Sequence, residues 1–324
     1  MGRRSRGGAH LVACAAALAG FVASASGSSG LATPIVEPDT GFAPIYALLA
    51  SPKHTLDMTM YELKDTKAEQ TLIADAARGV TVRVILDKAF SGGSVNAAAF
   101  ASLGAHGVSV HWASTQVAIT HQKSFVIDKK KAVIMTGNLT SEYYSTSRDY
   151  ALTDTKAADA AAIESTFALD WANTKGTAPP GADLVWSPGA QAPLVALIAS
   201  AKRTLQVENE EMSASAIVTA LEAAAKRGVD VRVVMTDQAS WHANFTALKN
   251  AGVKVSVYAP SAKLYIHAKT IEVDGTRVFL GSQNFSTSSL QSNRELGLVT
   301  TTKAVIRTVA ATFAKDFAGG TLWS

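Results

Sequence analysis

HQKSFVID at residues 121–128 and HAKTIEVD at residues 267–274 are two copies of one pattern, H-x-K-x4-D. The agreement continues downstream. In each copy an Asn follows the Asp by ten residues (Asn138, Asn284), and an Arg follows the Asn by ten (Arg148, Arg294). An acid comes next, Asp149 in one copy and Glu295 in the other. A hydroxyl residue, Thr136 or Ser282, stands two positions before each Asn. Reactive side chains kept in register point to a duplicated half-site whose copies meet in one active site.

The repeat extends beyond these motifs. Residues 50–56 match 199–205, residues 78–84 match 227–233, and residues 107–110 match 252–255. The offset drifts only from 149 to 145 and 146, so small loop changes separate the copies. A repeat this long exceeds the roughly 20–50 residues of a solenoid unit and means duplicated domains. Each copy reads as helix, strand, helix, strand, helix, strand, a hairpin, a strand and a last helix. Ala-rich stretches over 68–78 and 215–227 predict helices stopped by Gly79 and Gly228. The β-branched runs 80–86 and 229–235 predict buried strands. Asp274-Gly275 predicts a hairpin turn, with residues 129–131 at the corresponding bend. The Ala-rich stretch 156–173 reads as a core-packing helix, and Gly and Pro collect at a break over 174–183. The expected fold is therefore α/β: two pseudo-symmetric α/β/α layered lobes, each a mixed sheet flanked by helices. The lobes are expected over 41–178 and 179–324, after an N-terminal extension over 26–40.

Arg3, Arg4 and Arg6 precede an apolar run over 11–23, and Ala23-Ser24-Ala25 follows as an A-x-A cleavage site. This predicts a signal peptide over 1–25, cleaved near Ala25, and export to the periplasm or the medium. The run is too short to span a bilayer, and no later segment is long and apolar enough to cross one. The leader holds three of the 30 basic residues and none of the 26 acidic ones, which leaves a formal charge of +1. Such a balance lacks the electrostatic footprint of a nucleic-acid-binding domain. Cys14, the one cysteine, leaves with the leader. The exported chain is expected to carry neither a disulfide nor a Cys-based metal site.

Residues two apart in a strand share a face, so His121 points with Lys123, His267 with Lys269, Thr136 with Asn138 and Ser282 with Asn284. Each half then brings an imidazole, an ammonium, an amide and a hydroxyl to one region. The last three donate hydrogen bonds to phosphate oxygens. The imidazole serves as nucleophile or proton carrier near neutral pH.

These residues resemble the phospholipase D superfamily, which is marked by two copies of H-x-K-x4-D followed by G-S-x-N. The second copy is complete, ending in Gly281-Ser282-Gln283-Asn284, whereas the first reads Met135-Thr136-Gly137-Asn138. The resemblance implies a phosphodiesterase that needs neither metal nor cofactor and works through a phosphohistidine. It implies His121 as nucleophile and His267 as acid, with Lys123, Lys269, Asn138 and Asn284 on the non-bridging oxygens. Asp149 and Glu295 would orient the imidazoles, and Asp128 and Asp274 would brace the hairpins. Thr136 and Ser282 are expected at the substrate. Trp241-His242, and Phe90 to Gly93 at the same place in the first copy, are expected as specificity loops. Tyr143 and Tyr144 either line the cleft or pack.

The expected substrate is a phospholipid head group, hydrolysed or transferred to another alcohol, with peripheral contact to a membrane surface. An exported nuclease cleaving DNA or RNA is the alternative, and a catalytically silent binding protein is the second alternative.

Overall fold

The computed structural model describes residues 30–324. The expected signal peptide and its cleavage site lie outside the described residues. The first sheet runs, in spatial order, Ile35–Glu37, Ser147–Asp154, Lys131–Met135, Lys123–Ile127, Thr55–Met60, Thr81–Leu86 and Ser109–Trp112. The second follows the same order: Leu184–Ser187, Glu295–Thr300, Arg277–Gly281, Thr270–Val273, Thr204–Glu208, Asp230–Thr236 and Lys254–Tyr258. Thr321–Leu322 extends the second sheet at its edge. In each lobe the last three strands named are parallel and the others antiparallel, so both sheets are mixed. Ile35–Glu37 lies in the segment expected as an extension, yet it is an edge strand of the first sheet, equivalent to Leu184–Ser187 in the second.

Local chemistry sets these elements. Asp65 caps the helix Thr66–Ala77, accepting the Lys67 N–H at 2.9 Å and the Ala68 N–H at 3.2 Å. Beyond it Gly79 takes φ +93°, a left-handed turn that ends the helix. The hairpin turns sit on pairs of left-handed residues, Asp128 and Lys129 in one copy and Asp274 and Gly275 in the other. The first bend thus begins one residue earlier than the 129–131 expected. Asp128 accepts the backbone N–H groups of Lys53, His54 and Thr55 at 2.7–3.1 Å, and Asp274 those of Lys202, Arg203 and Thr204 at 2.7–2.9 Å. Each motif aspartate therefore ties its hairpin to the neighbouring strand.

Strand alternation divides the apolar side chains between two destinations. Phe125 and Val133 enter the core of the first lobe, and Phe279 that of the second. Val126, Ala132, Ile134, Val278, Leu280, Leu296 and Leu298 enter a shared layer between the lobes. Ile163 of the helix Ala157–Trp171 and Val305 and Val309 of the helix Lys303–Gly319 join that layer. Among the described residues no helix is long and apolar enough to cross a membrane.

Backbone pairing also crosses between lobes. Tyr265–Ile266 of the second lobe pairs in parallel with Ser147 and Arg148 of the first. Thr120 of the first lobe bridges Arg294 of the second in the same sense. The segment before each motif is thus clipped to the last strand of the opposite sheet.

Candidate active site

These crossed pairings place the histidines. Parallel register sets Ile266 against Arg148, so the next residues, His267 and Asp149, come together. The Thr120–Arg294 bridge does the same for His121 and Glu295. His121 Nδ1 lies 2.8 Å from Glu295 Oε2, and His267 Nδ1 lies 2.8 Å from Asp149 Oδ1. Each imidazole is therefore oriented by the carboxylate of the other lobe. Neither histidine lies within a regular strand of its own hairpin, because those strands begin at Lys123 and Thr270. The expected strand alternation fails there because the backbone bonds across the lobes; the His121 N–H, for example, donates to Arg294 O at 2.9 Å.

Both motif lysines are fully buried. Lys123 Nζ donates to the His121 carbonyl at 2.6 Å, and Lys269 Nζ donates to that of His267. Burial pushes the Lys123 ammonium down to about 7, with Glu295 opposing and Lys269 adding to the drop. Burial likewise pushes His121 down to about 4, against the pull of Glu295. For Glu295, burial works upward, but His121 and Lys123 outweigh it and hold the carboxyl below its ordinary range. Asp149 follows the same balance, held down by His267, Lys269 and the Thr136 hydroxyl. His121 is thus neutral near pH 7, with its Nδ1–H on Glu295. His267 differs, since its Nε2 also faces a carboxylate, Glu210 Oε2 at 3.3 Å.

His121, His267, Asn138, Asn284, Asp149 and Tyr143 line one cleft of about 640 Å³ between the lobes. Asn138 Oδ1 is buried there without a partner among the described residues. Thr136 and Ser282, expected at the substrate, do not line the cleft. The Thr136 hydroxyl donates to Asp149 at 2.5 Å and accepts the Tyr150 N–H at 2.9 Å, while Ser282 Oγ accepts the Leu296 N–H at 3.1 Å. Both hydroxyls are spent holding the strand that carries the acid. Trp241 also stays out of the cleft and packs on the second-lobe core. Phe90 and Tyr144 line the cleft beside Tyr143.

The departure Met135-Thr136-Gly137-Asn138 has a packing explanation. In the second copy Gly281 pairs across the ladder with Gly297, and a Cβ on Gly281 would lie 2.5 Å from the Gly297 Cα. The Gln283 side chain covers that glycine pair. In the first copy the ladder pair is Met135 and Ala151, and the residue equivalent to Gln283 is Gly137. A Cβ on Gly137 would lie 2.7 Å from the Asp149 carboxyl carbon. Bulk has moved from one position to the other without displacing either Asn.

Sequence reasoning gave no role to Glu210 or Glu211, although the copies diverge there. At the equivalent position of the first copy stands Tyr61, whose ring lies 4.5 Å from the His121 ring and 4.7 Å from Lys123 Nζ. That divergence inside an otherwise matching stretch was the available signal.

Two lobes that pool paired His and Asn residues in one cleft, with a buried motif Lys behind each His, define a phospholipase D-like protein. The chain belongs to the family described as "Cardiolipin synthase, PLD-like domain", whose model matches residues 45–171 and 194–317. It is similar to a cardiolipin synthase of Clostridium perfringens, 31% identical over 128 residues, covering 37% of this chain and 26% of the relative. It is also similar to a mitochondrial cardiolipin hydrolase of Xenopus tropicalis, 31% identical over 124 residues, covering 38% of this chain and 58% of the relative. The matched part thus spans about a quarter of the synthase's length. In fold it resembles a phosphatidylserine synthase of Haemophilus influenzae, with TM-score 0.71, 11% identity, and coverage of 91% of this chain and 87% of that one.

Proposed function

We propose that this chain is an exported phospholipase D-type phosphodiesterase that cleaves or exchanges the head group of a phospholipid through a phosphohistidine. The observation that carries the reading is the pair of crossed dyads opening on one cleft. His121, neutral and holding its proton on Nδ1, presents Nε2 to attack phosphorus. As the P–N bond forms and the P–O bond to the head group breaks, His267 gives a proton to the departing alcohol. His267, then neutral, takes a proton from water or an acceptor alcohol, which displaces His121 from phosphorus. Lys123, Lys269, Asn138 and Asn284 hold the non-bridging oxygens as charge gathers on them.

The cleft walls favour a lipid over a nucleic acid. Glu62, Glu210 and Glu211 line it, and Lys263 is the one lysine among its described lining residues. A nucleic-acid strand would carry neighbouring phosphates past these acids, at a Coulombic cost that a single lipid diester avoids. Phe42, Tyr61, Phe90, Tyr143 and Tyr144 offer apolar surface instead. Relatives named for making and hydrolysing cardiolipin point to lipid diesters as well.

The test is to incubate the chain without its leader with phosphatidylcholine or cardiolipin vesicles, and separately with plasmid DNA, all in excess chelator. Release of head group or phosphatidate, abolished in His121→Asn and His267→Asn, is the expected outcome. Nicking without lipid turnover would transfer the assignment to a nuclease. Silence toward both would leave a binding protein.

A further inference from the structure

The second half of the phosphate-binding set already holds an anion. A single oxygen, Glu210 Oε2, lies 3.1 Å from Lys269 Nζ, 3.2 Å from Asn284 Nδ2 and 3.3 Å from His267 Nε2. Its partner oxygen accepts the Tyr265 hydroxyl at 3.0 Å, and Tyr265 in turn accepts from Gln238 Nε2 at 3.2 Å. The carboxylate is therefore tethered on one side and caps three phosphate donors on the other. Glu211 Oε1 lies a further 3.2 Å from Asn284 Nδ2. The first half has nothing comparable, since Tyr61 places an uncharged ring over His121 and Lys123.

We infer that Glu210 is a specificity-determining residue: a built-in carboxylate that occupies the phosphoryl-oxygen site of the second half and sets how much negative charge the cleft accepts. The inference rests on reading the cleft as a phosphoryl site. Burial would push the Glu210 carboxyl up, but the neighbouring His267 and Lys269 outweigh it, so the group is ionised and held in place by its contacts to Lys269 and Asn284. An incoming phosphodiester carries one charge and brings apolar groups that bind elsewhere in the cleft. A phosphomonoester or inorganic phosphate carries close to two charges near neutral pH and must either displace Glu210 or sit beside it. Repulsion therefore falls hardest on monoesters, including the phosphatidate that hydrolysis would leave behind. The two halves divide the work, the Tyr61 side accepting anionic oxygen and the Glu210 side limiting it.

The experiment compares inorganic phosphate binding to the chain without its leader and to its Glu210→Gln variant, by calorimetry at pH 7.5. Glutamine keeps its one oxygen toward Lys269 and Asn284 and turns its amide NH2 to the Tyr265 oxygen, while losing the charge. The expected result is that Glu210→Gln binds phosphate at least about tenfold more tightly, the equivalent of about 1.4 kcal/mol of removed repulsion. Glu211→Gln, whose side chain reaches Asn284 but makes no hydrogen bond to Lys269, should change affinity less. Equal or weaker binding by a folded Glu210→Gln, with an unchanged circular dichroism spectrum, would overturn the inference and leave Glu210 as a prop for Lys269. Because binding is read without turnover, tighter phosphate binding stands even if no lipid is cleaved, and failure here leaves the phosphodiesterase assay unaffected.

Discussion

Arg148 of the first lobe and Asp316 of the second form a buried two-pronged ion pair, Nε to Oδ2 at 2.5 Å and Nη2 to Oδ1 at 2.9 Å. Its counterpart is Arg294 with Asp170, at 2.8 Å and 2.9 Å. Each arginine directly precedes the acid that orients the opposite histidine. The ion pairs thus fix the position of Asp149 and Glu295 as well as the contact between lobes.

Asp316→Ala removes the two-pronged partner of the buried Arg148 guanidinium and leaves it only the Glu37 carbonyl at 2.7 Å and the Asp39 carboxylate at 3.5 Å. The variant should lose about 3–5 kcal/mol of stability, read by denaturant unfolding. A loss below about 1 kcal/mol, the range of an exposed pair, would show that Arg148 finds water on its own.

The crossed dyads predict which variants couple. Glu295→Gln should lower kcat by about 100-fold to 10,000-fold through His121, and Asp149→Asn should do so through His267. Adding Glu295→Gln to His121→Asn should then cost little more, whereas adding it to His267→Asn should bring a further loss. The opposite pattern of coupling would assign Glu295 to His267.

The pH dependence of kcat/KM follows from His121. Its ordinary value of 6.5 falls to about 4 in the fold, and only the neutral ring attacks phosphorus. Activity should therefore persist on acidification and fall as pH drops through about 4. An acid limb at 6 or above would remove His121 from the nucleophile's role. Stability moves in the same direction, since between 6.5 and about 4 the unfolded chain binds the proton more readily and folding weakens as pH falls.

Glu208 acts with the opposite sign. Burial, with the charge of Asp316 adding to it, raises its carboxyl from 4.5 to about 8, and the Tyr150 hydroxyl donates to it at 2.9 Å. The unfolded chain ionises this group above about 4.5 while the folded chain keeps the proton, so its contribution to stability is lost as pH rises toward 8. Glu208→Gln should match the parent in melting temperature at pH 4.5 and exceed it at pH 8. A difference that does not grow with pH would rule out a buried neutral acid.

Much of this was legible in the chain. The doubled motif, the matched runs around Arg78 and Arg227, and the turn at Asp274-Gly275 depend on local spacing, and local spacing survives in sequence. Ile35–Glu37 was missed as a strand because three residues carry too little periodicity to stand apart from a loop. The placement of His121 and His267 outside regular strands was hidden because it depends on pairing with a distant edge. Thr136 and Ser282 were expected at the substrate because a hydroxyl near an Asn suits phosphate equally well. Only the fold shows the Thr136 hydroxyl committed to Asp149 and the Tyr150 N–H. Glu210 was visible as a mismatch with Tyr61, but its neighbours Lys269 and Asn284 lie 59 and 74 residues away.

The crossing of His121 to Glu295 and of His267 to Asp149 leaves neither lobe chemically self-sufficient. Cut apart at the linker, each fragment would keep its ring but lose the acid that aims it. Two copies of one fragment, brought face to face, could lend each other what they lack. Covalent tethering removes that need for an encounter, and it frees the twins to differ, with an aromatic ring in one and a carboxylate in the other at the same address.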